Sequence, residues 1–487
     1  MHEECGIFGI YSKERASVAV STYYALCALQ HRGQESCGIV VNDRGVLKCK
    51  KELGLVNDIF DNEALNKLGD GKMAVGHVRY AVGDGATSHS IQFMTSQNSP
   101  PMAFQNTQPM VVRHIKGPMA IAHNGGLVNA SALRDEYELK GGIFHSTGDS
   151  EVISYAITEQ RVNAVSIENA VELAMPRLSG AYSLLVMSAK KLIAARDPNG
   201  FRPLCLGELP NSAGYVVASE SCALDSICAE FIRDIEPGEI VVISEKGIES
   251  IRTHCTKKGE LCVFEFVYFA RPDSIIEGVS VQHSRNTAGR ILAREHPVEA
   301  DIVIGVPDSG LDSAIGFSLE SGIPYGIGFV KNRYIGRTFI QPSQGMREDS
   351  VKIKLNPIKE TIKGKRVIMI DDSIVRGTTC ARIVRLLREV GAKEVHVRIS
   401  SPPFLNPCYF GADVNSRDGL IACQLTTDEI RARIGADTLG YLSLDGISKV
   451  AKGGRCDFCM GCFTGKYPVE VPDEKPTNKF DMRFSEV

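Results

Sequence analysis

The chain has 487 residues, of which 23% are charged and 43% are hydrophobic, and its formal net charge at pH 7 is −3. This balance is typical of a globular protein, and the length predicts two or three domains. The charge gives no indication of a nucleic-acid or membrane partner, and no apolar run approaches the ~20 residues that a membrane span needs. The acidic start at residues 1–4 lacks the basic and apolar regions of a secretory signal, so we expect a cytoplasmic protein.

Fifteen cysteines are many for a chain of this length. They are odd in number, scattered and accompanied by no secretory signal, so we do not expect a disulfide framework. We expect some of them to be metal ligands or nucleophiles and the others to be small core residues.

Cys5 lies at the start of a predicted strand, with no obvious base beside it in the sequence. If residues 1–4 were a propeptide, their removal would give Cys5 a free α-amino group. The reference pKa of that group is about 7.7–8.0, so it could serve as the base for the thiol. The alternative is a buried cysteine in a strand near the terminus.

Short predicted strands, with helices between them, occupy the first 240 residues. The strands are expected at 73–80, 119–123, 182–187, 191–196 and 214–218, and the helices near 129–140, 149–160 and 165–177. Strand-rich blocks flanked by helices favour an α/β/β/α sandwich over a βαβ array. Residues 83–107 are polar and contain two adjacent prolines, and we predict that they form an exposed insertion.

Beyond residue 260, strands and helices alternate. Residues 367–370 form a continuous apolar run, which is typical of a central parallel strand covered on both faces. Asp371, Asp372 and a loop of Ser, Gly and Thr follow, and then a helical pattern begins. Such a loop can offer amides and hydroxyls to a phosphate, and adjacent acids suit a ribose diol or a phosphate-bound Mg²⁺. The alternative is that the acids cap the helix and the glycine makes a turn.

The segment from Lys331 to Arg347 is basic, polar and without periodicity. We predict a mobile loop that closes over an anionic ligand. The alternative is a solvated surface loop.

Five short motifs occur in the order and context of the class II glutamine amidotransferases. They are Cys5-Gly-Ile-Phe-Gly-Ile10, His31-Arg-Gly-Gln-Glu-Ser36, His77-Val-Arg-Tyr80, His123-Asn-Gly-Gly126 and Thr147-Gly-Asp-Ser-Glu151. The chain resembles this family over residues 5–245, which implies an N-terminal nucleophile hydrolase domain. The resemblance implies Cys5 as the nucleophile, Asn124 and Gly125 as the oxyanion hole, and Arg79 and Asp149 as the glutamine-binding residues. The family usually has Thr near the position of Val82.

The second half, residues 260–470, carries Ile370-Asp-Asp-Ser-Ile-Val-Arg-Gly-Thr-Thr379, which resembles the phosphoribosyl pyrophosphate (PRPP) motif of the type I phosphoribosyltransferases. This resemblance implies an α/β domain with a parallel sheet. It also implies the PRPP-binding residues Lys331, Asp371, Asp372, Ser373, Arg376, Gly377, Thr378 and Thr379. By the same resemblance Mg²⁺ binds Ser309, Asp371 and Asp372.

Together the two domains resemble the glutamine PRPP amidotransferase family, with residues 1–4 as propeptide and 471–487 as a tail. The resemblance implies formation of 5-phosphoribosylamine from PRPP and glutamine, an internal ammonia channel, feedback inhibition by purine nucleotides, and a homotetramer. Another class II amidotransferase, such as the hexosamine-forming enzyme, would carry sugar isomerase domains in place of the PRPP motif. A non-catalytic regulatory relative is the other alternative.

Cys459 and Cys462 have a two-residue spacing that is common to zinc and iron–sulfur sites. The contexts of Cys262 and Cys408 resemble those of the cluster-bearing branch of the family, which implies a [4Fe–4S] cluster held by these four cysteines. Cys255 and Cys456 lie close enough in sequence to be further candidates. Structural zinc and unligated thiols are the alternatives.

Overall fold

The computed structural model of the chain describes residues 5–80, 102–332, 355–412, 414 and 416–472. The expectations for the propeptide at 1–4, for Val82 and for the loop beyond residue 332 lie outside the described residues. So does most of the 471–487 tail. Across the described ranges, no helix combines the length and the apolar character needed to cross a membrane.

Thirteen strands are described in the first half of the chain. They are β1 (Gly6–Ala16), β2 (Ser36–Asp43), β3 (Val46–Leu53), β4 (Gly71–Arg79), β5 (Met110–His114), β6 (Gly117–Leu127), β7 (Gly180–Met187), β8 (Leu192–Arg196), β9 (Cys205–Glu208), β10 (Gly214–Ala218), β11 (Glu230–Asp234), β12 (Ile240–Ser244) and β13 (Gly247–Ile251). They form a seven-stranded sheet, β11-β9-β10-β1-β4-β2-β3, and a six-stranded sheet, β13-β12-β8-β7-β6-β5. Every neighbouring pair in these two sheets is antiparallel.

Helices cover the outer faces of the two sheets. They are α1 (Val18–Ala28), α2 (Val56–Ile59), α3 (Asn62–Leu68), α4 (Met102–Gln105), α5 (Ala130–Leu139), α6 (Asp149–Arg161), α7 (Ile167–Ala174) and α8 (Cys222–Asp225). Phe8 of β1 packs with Leu26 of α1, whereas Ile7 packs between the sheets with Leu185 of β7. Both sheets are thus buried on two faces, and the predicted α/β/β/α sandwich is confirmed.

The second half contains ten strands and eight helices in the described ranges. The strands are β14 (Glu260–Cys262), β15 (Ile275–Ile276), β16 (Val279–Ser280), β17 (Ile302–Gly305), β18 (Phe329–Lys331), β19 (Leu355–Pro357), β20 (Arg366–Asp371), β21 (Glu394–Ile399), β22 (Thr438–Tyr441) and β23 (Asp457–Cys459). The helices are α9 (Val281–Glu295), α10 (Gly310–Ser321), α11 (Lys359–Ile362), α12 (Thr378–Glu389), α13 (Ile421–Gln424), α14 (Thr427–Ile434), α15 (Leu444–Ser448) and α16 (Gly461–Thr464).

The main sheet of this half has the order β17-β20-β21-β22, and all three pairs are parallel. Ile368 and Ile370 of β20 pack on one face of the sheet, and Val367 and Met369 pack on the other. The apolar run is therefore a central parallel strand covered on both faces, as predicted.

Two polar segments of the first half are partly buried. Residues 83–101 of the predicted exposed insertion lie outside the described residues, whereas Asn106 and Thr107 at its end are buried. The polar motif at 31–36 begins in a 3₁₀ turn, Gln30–Arg32, and Arg32 is fully buried. In both places polar side chains are buried because they find specific hydrogen-bond partners inside the protein.

Candidate functional site

Cys5 and Arg79 lie at one end of the space between the two sheets of the first half. Ile7 of β1 and Val75 of β4 point into this space. Because side chains alternate along a strand, Cys5 and Arg79 continue the same two rows. Gly6 pairs with Val78 across β1 and β4, so the nucleophile candidate and the arginine are close neighbours.

The thiol of Cys5 is half-buried, and its Sγ lies 3.8 Å from the carbonyl oxygen of Tyr80. The carbonyl oxygen of Cys5 accepts a hydrogen bond from Nε of Arg32 at 3.0 Å. The position of residue 5 is therefore set by its main chain, and the thiol can react without loss of that anchor.

Arg32 is the centre of a buried ion-pair network that joins the two halves of the chain. Its guanidinium donates to Glu220 at 2.6 Å and to both carboxylate oxygens of Glu265 at 2.9 Å. All three side chains are fully buried. Burial would raise the pKa of Glu220, but the charges of His31 and Arg32 outweigh it and hold that pKa below its ordinary value.

Glu265 belongs to the second half, in a π-helical turn at Glu265–Phe269. It also accepts a hydrogen bond from Arg202 at 3.3 Å. The anchor on Cys5 therefore depends on a carboxylate from the other half of the chain. Sequence reasoning missed this network, and the only signal for it was the arginine inside the second motif.

Asn124 of β6 faces the same space between the sheets, because it continues the row of Ala120 and Ala122. It is fully buried, and neither Oδ1 nor Nδ2 has a hydrogen-bond partner among the described residues. A buried amide left unpaired costs about 1–3 kcal/mol, so it is a candidate donor to a ligand. Gly125 has φ +139°, and a Cβ there would lie 2.2 Å from the carbonyl oxygen of Ala181, so only glycine fits.

A hydrogen bond between the sheets brings Asn124 towards Cys5. Nε2 of His77 lies 3.1 Å from the carbonyl oxygen of His123, the residue before Asn124. Burial lowers the pKa of His77 to about 3 and that of His123 to about 4, so both rings are neutral at pH 7. The ring of His77 therefore donates from Nε2 and acts as a neutral tie between the sheets.

The two glutamine-binding candidates flank this group. Arg79 donates from Nη1 to Glu35 at 2.8 Å. Asp149, the first residue of α6, accepts a hydrogen bond from the amide of Leu127 at 2.8 Å. Leu127 follows Gly125 by two residues, so Asp149 is attached to the strand that carries the oxyanion-hole candidates.

The second group of candidates lies at the carboxyl end of β20. Asp371 and Asp372 are each only 8% exposed. Ser309 donates to Oδ2 of Asp372 at 2.5 Å, and Ser373 donates to Oδ1 of the same carboxylate. Burial, together with the charge of Asp372, raises the pKa of Asp371. A cation at this edge would relieve that repulsion.

The loop after the two acids is open to solvent. Gly377, with φ +78°, is the residue that caps the amino end of α12, and Arg376, Thr378 and Thr379 are exposed. The amino end of a helix with two hydroxyls beside it is a favourable place for a phosphate. Lys331 reaches the same edge, since its Nζ lies 2.5 Å from the carboxylate of Asp308, next to Ser309.

The four cysteines predicted to hold a cluster, Cys262, Cys408, Cys459 and Cys462, also lie near one another. Cys262 and Cys459 are register partners in the parallel pair β14–β23. Sγ of Cys408 accepts a hydrogen bond from the amide of Phe410 at 3.4 Å. Burial raises the pKa of Cys462, and Cys262, Cys408 and Cys459 raise it further, so the four thiols are electrostatic neighbours.

The other two candidate cysteines have different surroundings. Burial and Glu277 raise the pKa of Cys456 to about 12, with Arg196 nearby. Burial and Glu236 raise the pKa of Cys255. All fifteen cysteines fall in described ranges and none forms a disulfide. In those ranges no three His, Cys, Asp or Glu side chains form a group that could hold a single metal ion.

The comparisons with known proteins match both halves. Residues 99–226 match the glutamine amidotransferase domain family, and residues 279–400 match the phosphoribosyl transferase domain family. The amidophosphoribosyltransferase of Methanocaldococcus jannaschii is 49% identical over 97% of this chain and 99% of its own length. That of Bacillus subtilis is 45% identical over 97% of this chain and 95% of its own length.

Two solved structures are similar over nearly the whole chain. One is the glutamine PRPP amidotransferase from Bacillus subtilis complexed with ADP and GMP, at 44% identity and a TM-score of 0.86, covering 97% of this chain and 99% of that one. The other is described as the allosteric regulatory enzyme of purine biosynthesis, at 44% identity and a TM-score of 0.87, covering 99% of this chain and 100% of that one.

Proposed function

This chain belongs to the amidophosphoribosyltransferase family, and we propose that its two candidate sites divide the family's reaction between them. It is a glutamine-dependent glycosyltransferase of the first committed step of purine biosynthesis. The reaction converts PRPP, glutamine and water to 5-phosphoribosylamine, glutamate and pyrophosphate. The main support for two separate sites is the side-chain amide of Asn124, which is buried near Cys5 without a hydrogen-bond partner among the described residues. The buried acids Asp371 and Asp372 lie in the other half of the chain.

In the first site, removal of residues 1–4 gives Cys5 the amine that accepts its thiol proton. The thiolate attacks the side-chain carbonyl carbon of glutamine. The oxyanion that forms accepts hydrogen bonds from Nδ2 of Asn124 and the amide of Gly125. The protonated amine gives this proton to the leaving nitrogen, so ammonia departs as the thioester forms, and water then hydrolyses the thioester to glutamate and the free thiol. Arg79 binds the carboxylate of the substrate and Asp149 its ammonium, because each offers the opposite charge.

In the second site, the amino end of α12 binds a phosphate of PRPP, and Asp371 and Asp372 bind its ribose hydroxyls. The donor set fits Mg²⁺, since hard carboxylate and hydroxyl oxygens of Asp371, Asp372 and Ser309 would hold it while water and phosphate complete its shell. When bound, the ion would neutralise charge on the leaving pyrophosphate. Lys331 lies beside this edge and supplies a further positive charge for the pyrophosphate.

We also propose a [4Fe–4S] cluster on Cys262, Cys408, Cys459 and Cys462. The donor set fits, because four thiols are the usual ligands of this cluster and an amide hydrogen bond to sulfur, as at Cys408, is typical of such sites. A cluster binds each thiolate through a different iron, so its ligands need not converge as they would around one zinc ion. Its role would be structural, because it joins β14 to β23 near the end of the chain.

We propose three further properties, which the family resemblance implies. Ammonia passes to the second site inside the protein, purine nucleotides inhibit the enzyme, and the chain assembles as a homotetramer. The relative from Bacillus subtilis that was solved with ADP and GMP supports the expectation of nucleotide regulation.

The test is formation of 5-phosphoribosylamine by the purified protein from PRPP, Mg²⁺ and either glutamine or ammonium. We expect product with both nitrogen donors, and glutamate in equal amount when glutamine is the donor. Glutamate release without any phosphoribosylamine would refute the proposal.

A further inference from the structure

Two side-chain amides, those of Asn106 and Gln108, lie buried at the edge of the proposed glutamine site. They are 6% and 7% exposed. Buried side-chain amides are stable only where their donors and acceptors are paired. The hydrogen-bond partners of Asn106 and Gln108 therefore show which parts of the chain these two side chains hold in place.

Asn106 holds the loop that leads into α6. Its Oδ1 accepts hydrogen bonds from the amides of Thr147 at 3.0 Å and Gly148 at 3.1 Å. Its Nδ2 donates to the hydroxyl of Thr147 at 2.8 Å. Asp149 is the next residue, so three hydrogen bonds from one side chain fix the entry of the chain to Asp149.

Gln108 holds the strand that carries the oxyanion-hole candidates. Its Oε1 accepts a hydrogen bond from the amide of His123 at 2.7 Å, and its Nε2 donates to the carbonyl oxygen of His123 at 3.3 Å. Asn124 and Gly125 follow directly. The residue between the two amides is anchored too, because Lys51 donates to the carbonyl oxygen of Thr107 at 2.5 Å.

We propose that Asn106 and Gln108 are positioning residues that hold Asp149 and Asn124 at a fixed separation, an inference that rests on the proposed function. Glutamine carries its ammonium at one end and its reacting amide at the other. Asp149 and Asn124 must therefore be spaced to match the length of the substrate. Residues 106–108 form hydrogen bonds to both the loop before Asp149 and the strand that carries Asn124, and this short segment therefore sets the spacing.

Asn106→Ala tests the first half of the proposal. We expect the KM for glutamine to rise about tenfold or more, since three hydrogen bonds that place Asp149 are lost. Synthesis from PRPP and ammonium should stay at the wild-type rate. Asn106→Asp keeps an acceptor for both amides, so its KM for glutamine should stay within about threefold of wild type. If the alanine variant fails to fold, the KM for glutamine of Asn106→Asp is compared with that of wild type in its place.

Gln108→Ala tests the second half. Because Gln108 supports the oxyanion donors, we expect kcat with glutamine to fall about tenfold while the KM changes little. The matched control is Asn42→Ala, because Asn42 is a buried amide that bonds Ser188 and Gly45 away from the site. It should alter neither constant, although it should lower stability.

An unchanged KM for glutamine in Asn106→Ala, or an equal loss of ammonia-dependent synthesis, would overturn the positioning role. So would the same rise in KM in Asn42→Ala. A wild-type protein that makes no phosphoribosylamine from either donor would instead refute the proposed function.

Discussion

The substitution Glu265→Gln tests whether the buried network around Arg32 supports glutamine use at Cys5 or only stabilises the fold. Glu265 is fully buried and accepts two hydrogen bonds from Arg32 at 2.9 Å and one from Arg202 at 3.3 Å. Glutamine has the same shape but removes the charge and turns an N–H donor towards these guanidinium groups. Glu220 still pairs with Arg32, so the charge of the arginine is compensated in part.

Loss of one partner from a buried ion pair costs about 3–5 kcal/mol, and the remaining pair with Glu220 favours the lower end, about 3 kcal/mol. For a domain of about 200 residues this lowers the melting temperature by roughly 6–12 °C. Arg32 also holds the carbonyl oxygen of Cys5. We therefore expect glutamine-dependent synthesis to fall about tenfold or more, whereas ammonia-dependent synthesis should persist.

The assay compares both rates in the same preparation, below its melting temperature. Glu277→Gln is the matched control, because Glu277 is also buried and pairs across the two halves with Arg196 at 2.6 Å, but this pair does not touch Cys5. It should lower stability without selective loss of glutamine use. A Glu265→Gln variant with wild-type glutamine use, or equal selectivity in both variants, would refute the reasoning.

Three further predictions concern the PRPP site, the amino terminus and the cysteines proposed to hold a cluster. Asp371→Asn and Asp372→Asn should each abolish synthesis with either nitrogen donor, and ammonia-dependent turnover at the wild-type rate in both would show that the PRPP site is misplaced. The intact mass of the mature protein should correspond to a chain that begins at Cys5, and full glutaminase activity with residues 1–4 retained would contradict the amine base. Anaerobically purified protein should contain about four irons and four sulfides per chain, and full iron content in Cys408→Ser, or zinc in place of iron, would remove that assignment.

The two folds could be predicted because their patterns are local. The apolar run at 367–370 packs on both faces of its sheet, and the inner strands of the first half, such as β2 and β7, are buried on two faces. Such strands appear in the sequence as a continuous apolar run, or as a strand pattern with a helical pattern beside it. The site residues could be proposed because they belong to short motifs that resemble those of known families, and several of these motifs adjoin a predicted strand or helix.

The supporting network could not be predicted, because its members are far apart in the chain. Arg32 is separated from Glu220 by 188 residues and from Glu265 by 233. A lone arginine in a polar cluster indicates exposure unless its partners are known. Asn106 has the same difficulty, since its polar neighbours suggest an exposed insertion while its hydrogen bonds lie with Thr147 and Gly148.

The division of the reaction between two sites is tested most directly by Cys5→Ala, assayed for 5-phosphoribosylamine with glutamine and with ammonium as separate nitrogen donors. Cys5 belongs to the first site, whereas Asp371 ends β20 of a different sheet in the second half and Asp372 follows it. The account predicts that the variant makes no product from glutamine and keeps the wild-type rate with ammonium. Product from glutamine at the wild-type rate, or loss of both activities in a folded variant, would contradict it.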